Sequence, residues 1–279
     1  YGFSEWPGRR ESASISSMSR LFTPETRAVA IPTEHGGWSL TLEPAILGLI
    51  VAFSPAGLAL AFAALIGFVA RTPLKIVLID RFRDRWLERS RLAARIFGAE
   101  VAVGVVLVVV AVATAEGPFW WPLVIAVPLI AIELWHDMRS RSRNLIPELA
   151  GSIGIASIAA IVALAGGESN EVGAGLWIVM AARVIGTVPF VRVQLLRFKD
   201  RPFAILPSDV AQVGAVAIVV AAWAVELVPL GAVGAITILA LFELVAVRTA
   251  PVKAALVGAQ QVVLGLTVVL IAGLAFVAP

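Results

Sequence analysis

The sequence predicts an all-α protein, a polytopic transmembrane bundle of about nine helices. Hydrophobic residues make up 59% of the 279 positions and charged residues only 15%, whereas soluble chains carry about 25% charged residues. Nine apolar runs approach the length of about 20 residues that a spanning helix needs. All 22 Lys and Arg residues can be placed on one side of a membrane if these nine runs cross it in turn.

The nine runs are separated by turn sequences or by charged segments. Ser54-Pro55 and Glu116-Gly117-Pro118 close two hairpins, and Pro229 separates the seventh run from the eighth. The predicted helices are Gly37–Phe53, Ala56–Val77, Ile96–Ala115, Phe119–Trp135, Ile146–Gly166, Gly173–Val193, Val210–Val228, Leu230–Val247 and Ala254–Val277. We expect the connection Leu78–Arg95 to be a short surface helix, with Phe82 and Trp86 on one face.

The chain divides into a tail over residues 1–31 and a single membrane domain over residues 32–279. Residues 1–17 contain no apolar run and precede the first methionine, Met18, which we interpret as the start of the native protein. No soluble domain interrupts the apolar runs, so we expect one membrane-embedded unit in contact with lipid.

The connections between runs alternate in charge. Those after the second, fourth, sixth and eighth runs are basic, while the others carry Glu116, Glu168, Glu171 and Glu226 and no Lys or Arg. The positive-inside rule then predicts a protein of the cytoplasmic membrane, with its N-terminus in the cytoplasm and Pro279 outside. The basic balance thus reflects orientation in the membrane and does not indicate nucleic-acid binding.

The composition also restricts the chemistry. Cysteine is absent, which excludes disulfides, thiolate catalysis and Cys-ligated metals. With only His35 and His136 present, a haem or multi-histidine metal site is not expected.

Ionisable residues inside apolar runs are the first candidates for function, because they are costly in lipid and usually face an interior site. They are Glu43, Arg71, Glu100, Glu133, Glu148, Arg183, Asp209 and Glu243. We predict a polar cavity that is open to the cytoplasm and lined by carboxylates and two arginines. Paired or snorkelling side chains at helix ends are the alternative, and we favour that alternative for Glu100, Asp209 and Glu243.

The densest motif is Pro-Thr-Glu-His-Gly-Gly-Trp-Ser at residues 32–39, followed by Glu43-Pro44. His35, Ser39 and Glu43 are four residues apart and share one helix face. They are suited to a proton relay, a metal or an anionic headgroup. A helix start with Thr33 as its N-cap is the alternative.

A second motif, Asp80, Asp84 and Glu88, repeats acids every four residues after the second run. One carboxylate stripe could bind Mg²⁺ bridging to a diphosphate, or it could be a solvated helix with ion pairs to the interleaved arginines. Two basic clusters contain Arg143 and, further on, Arg192 and Arg197. Each suits phosphate binding, and a topology signal alone is the alternative.

The Glu-His-Gly-x-Trp stretch over Pro32–Trp38 resembles the opening of the YwiC-like family of bacterial membrane proteins. Arg71-x-Pro73-Leu74 and Arg143 with Glu148-Leu149 also resemble that family. A more distant similarity is to UbiA-type prenyltransferases, which have nine helices and acid-rich Mg²⁺-diphosphate motifs after helices two and six. In that resemblance Asp80, Asp84 and Glu88 stand in the first motif and Asp200 in the second, without the leading Asn-Asp of the first.

Three functions remain open from the sequence. The leading hypothesis is a divergent UbiA-like protein that binds an isoprenoid diphosphate or another anionic lipid. As a prenyltransferase it would use Glu43, His35 and Glu148 as base candidates, and Arg71, Arg143, Arg183, Arg192 and Arg197 as substrate-binding residues. Asp80, Asp84 and Glu88 would then hold Mg²⁺. The alternatives are a proton-coupled transporter, and a non-catalytic membrane subunit.

Overall fold

A computed structural model describes residues 29–30, 35–139 and 144–278 of the chain. Over these residues all regular structure is helical, with no strand, which confirms the predicted all-α class. The helices are α1 His35–Val51, α2 Pro55–Phe82, α3 Glu88–Thr114, α4 Trp120–Met138, α5 Leu145–Ala156, α6 Ile158–Ala165, α7 Asn170–Phe198, α8 Leu206–Ala224, α9 Leu230–Ala246 and α10 Ala254–Val277.

Seven units of this bundle are long and apolar enough to cross a membrane, and one of them is α5 continued by α6. Two shorter apolar helices, over Gly37–Val51 and Leu230–Ala246, complete the set. The ten described segments therefore form nine rods, in agreement with the predicted number. The protein is a multi-pass membrane protein by this architecture.

The helices are arranged around a buried centre formed by α6 and α7. Seven of the eight residues of α6 are buried, and α6 packs against α1, α2 and α7. Around them, α10 packs between α1 and α9, and α8 packs between α7 and α9. By contrast α3 packs mainly along α2, and most of its valines are exposed, as expected for a helix that faces lipid.

Close packing of α1 on α6 depends on a glycine. A Cβ on Gly48 would overlap the backbone oxygen of Ala159 and the side chain of Val162. A larger residue at position 48 would therefore hold the two helices apart. Small residues are common at helix interfaces in membranes because they let the backbones approach closely.

The turns follow the sequence signals. The Ser54 hydroxyl accepts a hydrogen bond from the Gly57 N–H at 2.9 Å, with Pro55 beginning α2. The Ser169 hydroxyl caps α7 by accepting from the Val172 N–H at 3.3 Å. These short caps let consecutive helices run antiparallel.

The predicted surface helix over Leu78–Arg95 is wrong. The second helix continues to Phe82, and α3 begins at Glu88, so that only a five-residue turn separates two long helices. Each helix extends beyond its apolar run, because a polar helix end can project from the lipid and remain helical. Hydropathy therefore marks where a helix leaves the lipid and not where the helix ends. Phe82 and Trp86 are both exposed but do not share a helix.

The connections define two ends of the bundle. We call the end with residues 83–87, 199–205 and 247–253 the basic end. The other, with residues 52–54, 115–119, 166–169 and 225–229, is the acidic end.

Candidate functional site

A cluster of polar side chains lies buried inside the bundle, where five helices meet. We call it the central cluster. Its members share near-complete burial, and they are Ser39 and Glu43 from α1, Arg183 and Thr187 from α7, Gln212 from α8, Glu243 from α9 and Gln261 from α10. Arg183 is the largest fully buried side chain of the described chain, at 1% exposure.

The Arg183 guanidinium links α7 to two other helices. Its Nη2 donates to Glu43 Oε1 at 3.3 Å and to the backbone oxygen of Gln261 at 3.0 Å. Its Nη1 donates to the hydroxyl oxygen of Thr187. A buried arginine is tolerated in an apolar bundle only when its charge and its hydrogen-bond donors are matched in this way.

Glu243 accepts hydrogen bonds from three uncharged side chains. The Thr187 hydroxyl donates to Oε1 at 2.9 Å, and the Gln261 amide donates to the same oxygen at 2.9 Å. The Gln212 amide donates to Oε2 at 2.6 Å, and also to the backbone oxygen of Gly186 at 2.9 Å. Both oxygens of Glu243 are thus fixed by donors from α7, α8 and α10.

Glu43 is bound on one oxygen only. Its Oε1 accepts from the Ser39 hydroxyl and from Arg183. Its Oε2 has no hydrogen-bond partner among the described residues, and the same holds for Arg183 Nε and Gln261 Oε1. Buried polar atoms are normally hydrogen-bonded, because an unpartnered polar atom in a core is costly. The three unpartnered atoms therefore mark this cluster as a site that can still bind a proton or a polar group.

A glycine lets the Glu43 carboxylate reach this position. A Cβ on Gly265 of α10 would overlap the Glu43 carboxylate. A second pair repeats the arrangement, since a Cβ on Gly151 of α5 would overlap the carboxylate of Glu133. In both places the close approach of a carboxylate to a neighbouring helix requires glycine.

A second ionic group joins α2 to α4. Arg71 Nη2 lies 2.6 Å from Glu133 Oε1 and 3.1 Å from Asp137 Oδ2. Lys75 Nζ lies 3.2 Å from Asp137 Oδ1. Two cations and two anions balance here, so Arg71, a predicted substrate-binding residue, serves in an ion network between helices.

The structure brings Glu43 and Arg183 together, but it separates them from other predicted site residues. Glu148 lies in the first turn of α5, with its carboxylate 3.6 Å from Arg192 and both side chains about two-fifths or more exposed. Arg197 Nη2 donates to the backbone oxygen of Thr249 at 2.7 Å, and its Nη1 donates to that of Val247. Arg197 therefore fastens the end of α7 to the end of α9. Arg143 and the His35 side chain lie outside the residues that can be described.

Asp80, Asp84 and Glu88 do not form the predicted helical stripe, because a turn separates α2 from α3. Asp80 is buried and accepts from Arg89, at 3.0 and 3.3 Å, and from the Ser90 hydroxyl at 2.6 Å. Within the described residues no three acidic or histidine side chains gather at a point suited to a metal ion. The Mg²⁺ hypothesis therefore draws no support from this geometry.

Two of the acids from the supposed diphosphate motifs have a backbone role instead. Asp84 and Asp200 both have φ of 51°, the left-handed conformation that Asp and Asn tolerate better than most residues. The N–H groups of Arg85 and Arg201 each bond back to a carbonyl five residues earlier, at 2.8 and 3.0 Å. Both acids thus occupy the turn that ends a helix.

The predicted cytoplasm-open cavity around the deep charges is wrong, since Glu43, Arg183 and Glu243 are at most 1% exposed. Side chains from neighbouring helices close over these charges. A cavity of about 400 Å³ lies instead at the acidic end, lined by Glu171, Trp223, Glu226 and Phe276 among others. It is bounded by α7, α8, α9 and α10, four of the five helices that form the central cluster.

Sequence reasoning missed three members of the cluster, Thr187, Gln212 and Gln261. Glu243 was named as an ionisable residue within an apolar run, but it was interpreted as a paired or snorkelling group at a helix end. The available signal was a single polar side chain on each otherwise apolar helix face. It could not show which faces meet.

The fold and the buried cluster together define a polytopic helical membrane protein with an intramembrane ionic site. The family model described as YwiC-like protein matches residues 31–164, so this portion of the chain is YwiC-like and the predicted resemblance is confirmed there. The match includes Glu43, whereas Arg183, Gln212, Glu243 and Gln261 lie beyond it. No curated protein and no solved structure matches the chain.

Proposed function

We propose that the protein is a proton-coupled membrane transporter, in which the central cluster binds and releases the coupling proton. The observation that carries this proposal is one buried arginine linked to two buried carboxyl groups, to Glu43 directly and to Glu243 through the Thr187 hydroxyl. Ionisable groups within spans mark ion pathways and proton relays. A purely structural pair would need only one carboxylate for one guanidinium.

The cavity at the acidic end is the candidate solute site. It is lined by the same four helices that contribute to the cluster, and its lining includes the carboxylates of Glu171 and Glu226 and the rings of Trp223 and Phe276. Carboxylates attract cations, and aromatic faces add a cation–π contribution. We therefore propose a cationic solute.

The orientation in this proposal follows from the loop charges. The basic end faces the cytoplasm of a bacterial cell, and the acidic end with its cavity faces outward. Proton exchange at the central cluster would then alternate with exposure of the solute site to the two sides.

A flux assay tests the proposal. Purified protein is reconstituted in liposomes that contain a pH-sensitive dye, and Na⁺, K⁺, choline or spermidine is added outside. We expect at least one of these cations to change the internal pH, and both Glu43→Gln and Glu243→Gln to reduce that response at least tenfold. Glu148→Gln, whose carboxyl is exposed and pairs with Arg192 outside the central cluster, is the matched control and should retain it.

Two results would contradict the proposal. One is an absent pH response to all four cations with folded wild-type protein, which would favour a non-catalytic membrane subunit. The other is a response that both cluster variants leave unchanged.

Binding of an isoprenoid diphosphate or another anionic lipid at the basic end is the second candidate. The exposed Arg192–Glu148 pair favours it, since a guanidinium at a helix end can exchange a weak carboxylate partner for a phosphate. If it holds, isoprenyl diphosphate should raise the melting temperature of wild-type protein and should do so less for Arg192→Gln. For prenyl transfer, addition of Mg²⁺ should further increase the rise in melting temperature. If isoprenyl diphosphate does not raise the melting temperature at all, this candidate function is excluded.

A further inference from the structure

We infer that the two buried carboxyl groups of the central cluster have different tasks, with Glu43 carrying the exchangeable proton on Oε2 and Glu243 remaining a fixed anion. This assignment rests on the proposed proton-coupled function and names the residue and atom on which that function depends. It is argued from the hydrogen-bond partners of each oxygen.

Glu243 is surrounded by groups that can only donate to it in their present arrangement. Gln212 and Gln261 direct their amide N–H groups toward its two oxygens. Thr187 directs its hydroxyl hydrogen there, because its own oxygen accepts from Arg183. Oε1 of Glu243 accepts from two of these donors and Oε2 from one, and all three hydrogen bonds favour the ionised form of this carboxyl.

Glu43 has the opposite surroundings. Its Oε1 is engaged by Ser39 and Arg183, but its Oε2 has no partner and is buried. A proton can be added to Oε2 without breaking any hydrogen bond, and it also converts that atom to a donor. Gln261 Oε1 is an unpartnered acceptor in the same cluster.

Charge balance calls for one proton in the cluster, and the unpartnered Oε2 of Glu43 can take it without loss of a hydrogen bond. The charged groups of the cluster beside Glu43 are Arg183 from α7 and, beyond it, Glu243 from α9, while α6 carries no ionisable side chain and α10 presents Gln261 and Gly265. The other helices on α1 are α2 and α5, and of their charged residues Arg71, Lys75, Asp80 and Glu148 pair with Glu133, Asp137, Arg89 and Arg192. With both carboxylates ionised, two negative charges and one positive charge leave the cluster at −1. Addition of one proton forms an O–H bond on Glu43 and brings the cluster to zero, which favours that state in a medium of low dielectric.

Release of the proton would strengthen the attraction between Glu43 and Arg183, and uptake would weaken it. The contact that joins α1 to α7 is thereby coupled to proton occupancy. Arg183 also holds the backbone of α10 through Gln261, so a change at Glu43 is transmitted to a helix that lines the cavity.

Infrared difference spectroscopy on purified wild-type protein, between alkaline and mildly acidic pH, tests the assignment. We expect the carbonyl stretch of one buried protonated carboxyl, absent in Glu43→Gln at every pH. In Glu243→Gln, which removes one negative charge from the cluster, the band should persist but appear only at lower pH. Ser39→Ala, which removes a partner of Glu43 Oε1, should retain the band at a shifted frequency. The Ser39→Ala shift also keeps the test valid if either glutamine variant does not fold.

The assignment is overturned if no buried carboxyl band appears, if Glu243→Gln removes the band while Glu43→Gln keeps it, or if Ser39→Ala leaves its frequency unchanged. These results are separate from the flux assay. If proton-coupled flux is observed but the band belongs to Glu243, the transporter proposal stands and the assignment to Glu43 is wrong. If the band belongs to Glu43 but no flux is observed, the assignment stands and the transporter proposal is wrong.

Discussion

Arg183 Nη2 lies 3.3 Å from Glu43 Oε1, which joins α7 to α1 inside the bundle at positions 140 residues apart in the sequence. Both side chains are 1% exposed. This contact organises the polar interior, because the same guanidinium also binds Thr187 and the backbone of Gln261.

Replacing Arg183 with Gln should destabilise the protein strongly. It leaves two buried carboxyl groups without a cation, and loss of one partner from a buried ion pair costs about 3–5 kcal/mol. We expect a lower melting temperature in detergent, partly restored when Glu43→Gln is added. Arg192→Gln, at an exposed pair 3.6 Å apart, should change stability by less than about 1 kcal/mol. Equal losses for the two arginine variants would contradict a special role of the buried pair.

Gly265→Ala should also lower the melting temperature. Its Cβ would overlap the Glu43 carboxylate and displace it from Ser39 and Arg183. The matched control is Gly258→Ala on the same helix, where a Cβ meets nothing within 4 Å. Alanine is favoured over glycine in a helix by about 1 kcal/mol, so this control should be neutral or slightly stabilising. If both variants behave alike, the close approach of Glu43 to α10 is not needed.

Asp84 and Asp200 should respond to substitution as turn residues. At φ of 51°, Gly should be neutral or stabilising at either position. Alanine should destabilise by about 1 kcal/mol, as measured by thermal unfolding without metal or diphosphate. A metal-binding role predicts another result, in which Gly and Ala both abolish an Mg²⁺-dependent stabilisation and neither matters without Mg²⁺.

The absence of native cysteine permits a clean test of orientation. Glu171→Cys lies at the acidic end and Glu88→Cys at the basic end, and both positions are exposed. A membrane-impermeant maleimide applied to intact cells should label the first and spare the second until the membrane is opened. The reverse labelling pattern would invert the topology.

The fold and the site were predictable from the sequence to different degrees. The helical class and the number of rods followed from apolar runs, whereas the ends of α2 and α3 did not, because polar helix ends have no hydropathy signal. Glu43 and Arg183 were recognisable as charges within apolar runs. Glu243 was recognised as such but assigned to a helix end, although the structure places it against Gln212 and Gln261.

The sequence by itself determined that this is a helical membrane protein with its positive charge confined to alternate loops, since hydropathy and loop charge are properties of neighbouring residues along the chain. Only the tertiary structure decided that Glu43, Arg183 and Glu243 share one buried cluster while Glu148 and Arg197 do not. The physical reason is that these contacts depend on which helix faces meet, and the meeting is set by close packing at glycines such as Gly48 and Gly265. It is also set by the requirement that every buried charge find a partner.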